Sequence, residues 1–481
     1  DWVTFGEDAT DPVSDRAPYV ARPLTAASTS DTPLLEHATS LTTAPDGSLL
    51  VRGGSLTDGE GEGLYRVVAG ADGTIDRRLV ATTGETTRFA VTGHNITDTL
   101  EFDKNGVGFP FTFSTNRKGA RVYFEIKYAG AYYRYDWRGE ASVLDSGRGP
   151  GSVTLHWDGH RQDSNGEPPS SYGLMRNGPV EWTATVSPVD GVGWGTTLSG
   201  KSTITRKPHP HDLTDDGSPD LLMMSQYGDV HLQSSLYYPK HDDLSWENTD
   251  TSFAGWGVYD RLSVPGDLGG NSTPDIIARD KSGDLWLYSK ATGNGYTPKL
   301  DPRVRIGTNW GVYDKIVGGS DLTGDSKPDL LATDKAGGLW LYPGTGNLNA
   351  PFSDRKNIGS SWGIYNQIVA TGNLAGAPAG DLVARDAAGV LWMYLGNGDG
   401  TFAPRVKLGG GWNEYTRIVS IGDLNYDGHG DLIAYPPGNV DILTAPSFTN
   451  GYVYWGTGDW RAPFKPRAAD MVPGKGAKDV F

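Results

Sequence analysis

The chain has 481 residues, a formal net charge of −16 from 58 acidic and 42 basic side chains, and no cysteine. The acidic surplus excludes a nucleic-acid binder, which needs a basic face. The missing thiols exclude disulfides, thiol catalysis and cysteine-based zinc sites. With 67 Gly, 30 Pro, 15 Trp and 23 Tyr, the composition is that of an all-β protein of many short strands. No run approaches 18 apolar residues, so no membrane insertion is expected. The chain starts at Asp1, not Met. It reads as a secreted, processed mature chain whose signal was removed.

Residues 1–88 have the texture of propeller strands. Trp2 to Gly6 and Tyr19 to Arg22 look like the third and fourth strands of a unit whose first two strands are missing. The segments 41–47, 48–52, 63–68 and 78–83 read as one complete four-stranded blade.

Residues 89–206 break that texture. Val153–Gly159, Pro179–Val186 and Gly200–Arg206 alternate apolar and polar positions, a β-sandwich pattern. The WDG turn and the xWTATV and SGxxTITR strands resemble an Ig-like domain of the FlgD type. His156 and His160 flank Asp158 but would not share a face, so no zinc site is expected there.

From residue 207 onward one phrase recurs: an acidic loop, an apolar strand, then an aromatic strand. The loops start at Asp212, Asp267, Asp321, Asn373 and Asp423, at intervals of 50 to 55 residues. That period, with about four strands per unit, indicates a propeller blade or a solenoid coil. It also sets oxygen ligands at the same turn of each unit, which suggests calcium. An aromatic phrase lies between units: Trp256/Tyr259, Trp310/Tyr313, Trp362/Tyr365 and Trp412/Tyr415. These rings suit packing between blades, and they are the candidate ligand-stacking residues. Trp286, Trp340 and Trp392 of the LWLY and LWMY strands are the less favoured set.

This texture resembles the VCBS/FG-GAP repeats of calcium-loop propellers, also found in integrin α-chain heads and appended to secreted actinobacterial proteins. In that family the loop D-x-[DN]-x-[DN]-G-x-x-D uses oxygens from positions one, three, five and nine. The resemblance implies Ca²⁺ on Asp212, Thr214, Asp216 and Asp220; on Asp267, Asn271 and Asp275; on Asp321, Thr323, Asp325 and Asp329; and on Asp423, Asn425, Asp427 and Asp431. The fourth loop (Asn373, Ala375, Ala377, Ala379, Asp381) is expected to be metal-free, so Asp427→Ala should cost more stability in calcium than Asp381→Ala. An EF-hand is excluded because no Glu stands at position twelve.

The C-terminal segment 469–481 mimics an inner strand and loop, then stops within a second strand. Joined to the N-terminal half-unit, it would complete one composite blade. The fold expected is therefore all-β: a seven-bladed β-propeller closed by N- and C-terminal strands, with an inserted Ig-like β-sandwich. Domains are 1–88 (propeller), 89–206 (sandwich) and 207–481 (propeller). No HExxH, GxSxG or P-loop is present, and His209 and His211 read as caps of a Pro-rich linker, so no enzyme is expected. The expected function is non-catalytic recognition of an extracellular carbohydrate or cell-wall glycan by a monomer. The alternative is a protein-binding propeller that captures a secreted protease or surface protein.

Overall fold

The computed structural model describes all residues except 1, 6–18, 25–30, 58, 103–107, 130–136, 145–148, 162–173, 190–194, 208, 239–242, 290–299, 377, 438–450 and 475–476. The described residues are almost all strand and turn, with only single-turn 3₁₀ segments at Trp256–Val258, Trp310–Val312, Trp362–Ile364 and Trp412–Glu414. None of their helices is long and apolar enough to cross a membrane. The chain divides into two compact units.

The first unit comprises 1–167 and 178–205. Trp2–Phe5, Tyr19–Pro23 and Thr32–Leu35 form a three-stranded sheet, and His37–Thr43, Leu49–Ser55, Gly61–Ala69 and Ile75–Thr82 form a four-stranded meander. Tyr19, Ala21, Leu34 and Leu35 of the former share a core with Val51, Tyr65 and Val67 of the latter. The remainder is a two-sheet sandwich. Three strands lie in one sheet and five in the other. The fifth strand, Thr99–Glu101, pairs in parallel with Thr196–Thr205. Inward positions alternate along Phe109–Thr115 and Ala120–Tyr128, so Phe111 stacks on Phe124 at 4.7 Å between ring centroids.

The second unit, 168–177 and 206–481, is a closed ring of five four-stranded blades. Blade 1 is Asp220–Ser225, Val230–Tyr238 and Asp243–Phe253 with Ala477–Val480 as its inner strand. Blades 2 to 5 are continuous meanders that begin at Tyr259, Tyr313, Tyr365 and Arg417. Their second strands, such as Asp275–Asp280 and Asp329–Asp334, are buried at five of six positions. That is what a strand sandwiched between two neighbouring sheets requires. Five apolar cores fill the five blade junctions. At the closing one, Leu221 and Val480 of blade 1 pack on Val419, Ile433 and Val453 of blade 5.

Two expectations are corrected. The ring has five blades rather than seven, because the N-terminal sheet and the 37–82 meander cluster with the sandwich in the first unit. The termini share no blade. Trp2–Phe5 pairs only with Tyr19–Pro23, whereas Val480 and Asp479 pair with Met223 and Met224. The start of the 469–481 segment is not the inner strand of a new unit: Ala468–Val472 is the outer strand of blade 5. The physical reason is edge satisfaction. Asp220–Ser225 would otherwise expose a strand edge on the ring's inner wall, and the last strand covers it.

A charge placed in the closing strand should therefore open the ring. Val480 is 6 % exposed, so Val480→Asp should cost about 3 kcal/mol or more. Thermal melting followed by near-ultraviolet circular dichroism would check this, and an unchanged midpoint would contradict the closure.

Candidate cation loops and the aromatic faces

Each loop leads into the second strand of its blade; in blades 2 to 5 it comes from that blade's inner strand, whereas the inner strand of blade 1 is the distant Ala477–Val480. All five use one backbone device: a left-handed residue at position four, namely Asp215, Gly270, Gly324, Gly376 and Tyr426. Four repeat it at position six, at Gly217, Ser272, Ser326 and Gly428. The exception is the fourth loop, where Pro378 cannot adopt positive φ.

The carboxylate at position one gathers the turn. Asp321 accepts from the N–H groups of Gly324, Asp325 and Ser326 at 2.7–3.2 Å. Asp423 does the same for Asp427 and Gly428, as does Asp267 for Gly269, Asn271 and Ser272. The side chain at position five then accepts from position seven, as Asp427 does from the His429 N–H at 3.0 Å.

The carboxylate at position nine has a different task. Asp220, Asp275, Asp329, Asp381 and Asp431 are all at most 1 % exposed. Asp381 Oδ2 accepts from Leu374 and Ala375 N–H and its Oδ1 from Gly396 N–H, at 2.8–3.0 Å. Asp431 accepts from Leu424 and Gly456 in the same way. The residue thus staples the loop to the third strand, in the loop that lacks the other acids as well as in those that have them. Burial pushes these groups up, to about 6 for Asp275 and Asp381 and about 8 for Asp431, because the charged form loses its hydration.

Whether these loops suit calcium differs from loop to loop. The first does not fit. Arg206, 5 % exposed, donates to Asp212 at 3.2 Å and to Asp215 at 3.0 Å, and Asn177 holds Asp215 from the other side. The set Asp212, Thr214, Asp216 and Asp220 already has a cation in the chain. In the third loop Lys327 lies 3.1 Å from Asp325, but both are well exposed, so the pair is weak. The fifth loop has the best donor chemistry. Asp423, Asn425, Asp427 and Asp431 have no Lys or Arg partner among the described residues, and Asp423 is raised first by burial and, among the charges, by Asp427, while His209 acts the other way. Among the described residues no three His, Asp or Glu side chains are already drawn together to hold a metal ion.

The aromatic sets exchange roles relative to expectation. Trp256, Trp310 and Trp362 are 5–7 % exposed, and Tyr259, Tyr313, Tyr365 and Tyr415 are 2–3 % exposed; only Trp412 is half-buried. Their ring faces are taken: Trp256 stacks on Tyr288 and Trp362 lies tilted against Tyr394, each with ring centroids 4.5 Å apart. The tyrosine hydroxyls pair across the strands, Tyr259 with Tyr288 and Tyr365 with Tyr394, at 2.5 Å. The seven buried residues pack blades together and do not offer a stacking surface. The left-handed Gly255, Asn309, Ser361 and Gly411 before each 3₁₀ turn swing the Trp inward.

The other tryptophans face solvent in part. Trp286, Trp340 and Trp392 are half-buried, and each indole N–H donates to an aspartate, Asp280, Asp334 and Asp386, at 2.7–2.9 Å. Over each ring lies an arginine of the outer strand or the turn before it: Arg303, Arg355 and Arg405, at 4.0–4.1 Å from the centroid. The same arginines donate to the hydroxyls of Tyr259, Tyr313 and Tyr365. Sequence reasoning missed the role of these arginines, although each sits in a recurring PR or DR dipeptide directly before the outer strand.

Residues 379–434 match the FG-GAP-like repeat family, a segment running from the end of the fourth loop to the second strand of blade 5. No curated protein matches the chain. Among solved structures, the chain is similar to an Agrocybe aegerita lectin that recognises non-reducing terminal N-acetylglucosamine, at 15% identity over 87% of this chain and 92% of that one, with a TM-score of 0.29. It is similar to the lectin BP39L of Burkholderia pseudomallei at 13% identity over 76% and 97%, with a TM-score of 0.30. An ancestral GH74 enzyme matches at 11% identity over 91% and 65%, with a TM-score of 0.23. At such scores none of these carries an argument for this chain.

Two outcomes follow. Asp381→Ala strands three buried N–H groups and should cost about 3 kcal/mol or more, equally with calcium and with chelator. This reverses the expected order of Asp381→Ala and Asp427→Ala; only the latter's cost should depend on calcium. Melting both variants in the two conditions decides it. The second outcome concerns pH. A buried acid whose folded pKa is raised stabilises fully below its unfolded value near 3.8 and loses that contribution as pH rises through the folded value. In chelator, stability should therefore fall as pH climbs from about 4 through about 6, as Asp275 and Asp381 ionise, and on toward about 8 for Asp431. A flat profile in denaturant titrations over this range would contradict the assignment.

Proposed function

We propose that this protein is a secreted, non-catalytic propeller that recognises an extracellular glycan through repeated sites on its blades, with calcium bracing the acidic loops. The observation that carries the reading is the threefold Trp–Arg unit: Trp286 with Arg303, Trp340 with Arg355 and Trp392 with Arg405. Each joins a half-buried indole, pinned by an aspartate, to an exposed guanidinium anchored on a tyrosine. Such a pair offers apolar surface and several N–H donors at low entropic cost, since both side chains are already held. Sugar hydroxyls suit that mix. Three copies on successive blades suit a polymeric ligand, because linked weak contacts gain by effective concentration.

In this reading calcium sits at the fifth loop, at the third and, with fewer donors, at the second. When bound it would offset the mutual repulsion of Asp423, Asp427 and Asp431 and add roughly 2.7 kcal/mol at a hundredfold excess over Kd. The sandwich of the first unit would be an Ig-like companion domain.

A second reading, protein capture, is favoured by a separate observation. Val258, Val312 and Ile364, at equivalent positions of the 3₁₀ turns, are 50–51 % exposed.

A glycan array run in calcium and in chelator tests the proposal. Binding should be saturable and should weaken stepwise by about tenfold per site as Arg303→Ala, Arg355→Ala and Arg405→Ala are combined. Binding indifferent to all three substitutions, or silence toward every sugar, would overturn the glycan reading. Capture of a protein through the exposed aliphatic turns would then replace it.

A further inference from the structure

The inner strands of the five blades enclose a cavity of about 470 Å³ on the ring axis. Its two ends differ in charge. The acidic loops follow the C-terminal ends of the inner strands of blades 2 to 5. At the opposite end, one residue per inner strand occupies the same register, opposite the fifth residue of the second strand. These are Arg261, Lys315, Gln367, Arg417 and, from the closing strand, Asp479. All five line the cavity.

The charges at this end do not balance. Lys315 pairs with Asp314 at 2.5 Å, and Arg417 pairs with Asp479. Arg261 has only backbone partners: the Asp314 carbonyl at 3.1 and 3.2 Å and its neighbour's carbonyl at 2.7 Å. Behind the ring, Arg279 of blade 2 is neutralised by Asp260 at 2.8 Å. The equivalent Arg385 of blade 4 meets Asn366 at 2.9 Å instead, a partner without charge. Burial, and then the charges of Arg261 and Arg385, lower the pKa of Arg417. In a chain of net charge −16, a half-enclosed site with surplus positive charge is the complement of an anion. Gln367 Oε1 and Ser420 Oγ, both on the cavity, lack hydrogen-bond partners.

The geometry points to a second binding site at this mouth of the axial cavity, taking a small oxyanion, carboxylate or phosphate, with Arg261 as its principal contact and Lys315 and Arg417 beside it. The site lies apart from the Trp–Arg units, so it stands or falls separately from glycan recognition by the blades.

Isothermal titration of the full chain with glucuronate, inorganic phosphate and glucose tests it. Glucuronate, phosphate or both should bind with one site per chain, glucose should not, and added sodium chloride should weaken binding. Preference for glucuronate would mark an acidic sugar as the source of the anion, and preference for phosphate a phosphoryl group. Arg261→Gln should weaken binding by about tenfold or more. Lys315→Gln should weaken it less, and it guards against a folding defect in the first variant. The triple variant of Arg303, Arg355 and Arg405 should bind these anions as the parent does. Absence of saturable anion binding, or binding unchanged in both Arg261→Gln and Lys315→Gln, would overturn the inference and leave the blade sites untouched.

Discussion

The ring depends on one buried carboxylate per blade, at Asp220, Asp275, Asp329, Asp381 and Asp431. Each is the first residue of its blade's second strand, and each is closed off from water. A loop at that point has several backbone N–H groups pointing inward and no strand to receive them. In all five blades the aspartate receives at least one from its own loop; in blades 3, 4 and 5 it also receives one from beyond the third strand, Gly344, Gly396 and Gly456. One residue thereby sets the spacing of loop, second strand and third strand together. The cost is a charge held in a dry place, visible in the raised pKa values, and it is offset by the N–H groups that would otherwise go unpaired.

A second fixed set of contacts joins blade to blade. The guanidinium groups of Arg279 and Arg385 reach the carbonyls of the following turn, Trp310 and Tyr313 for one and Trp412 and Tyr415 for the other. The buried tryptophans fill the space between. Each blade therefore holds the turn that positions the next one's inner strand, and the wall of the axial cavity inherits its regularity from that clamp.

Much of the second unit was legible in the sequence, because the repeat writes the same loop and strands several times over. The second and third strands and the turns before Tyr259, Tyr313 and Tyr365 lie where the pattern puts them. The closure was not legible. In register, Asp479 and Val480 stand where the other inner strands carry Arg, Lys or Gln and then Leu or Ile, and the place of Ala477–Val480 is decided by which edge is vacant, a property of the whole ring. The blade count failed for the same reason: residues 37–82 have blade-like strands, yet nothing local says which unit they join. The role of the two tryptophan sets was also hidden. Both stand in aromatic phrases of similar composition, and only the left-handed residue ahead of each 3₁₀ turn decides which ring goes inside. Loop 1's acids match the calcium pattern, while the arginine that answers them lies six residues upstream of Asp212, where the pattern reads it as the end of the sandwich's last strand.

The pairing of Met223 with Val480 has a consequence for how the protein is made. On the ribosome blade 1 emerges among the first parts of the ring and stays one strand short until all the others have been synthesised. Its second strand then presents an open hydrogen-bonding edge to every nascent neighbour for most of the ring's translation. Contacts so distant in sequence also make the final step slow. Two chains growing on adjacent ribosomes could exchange their last strands, so the misassembled product to look for is a reciprocal dimer with intact blades.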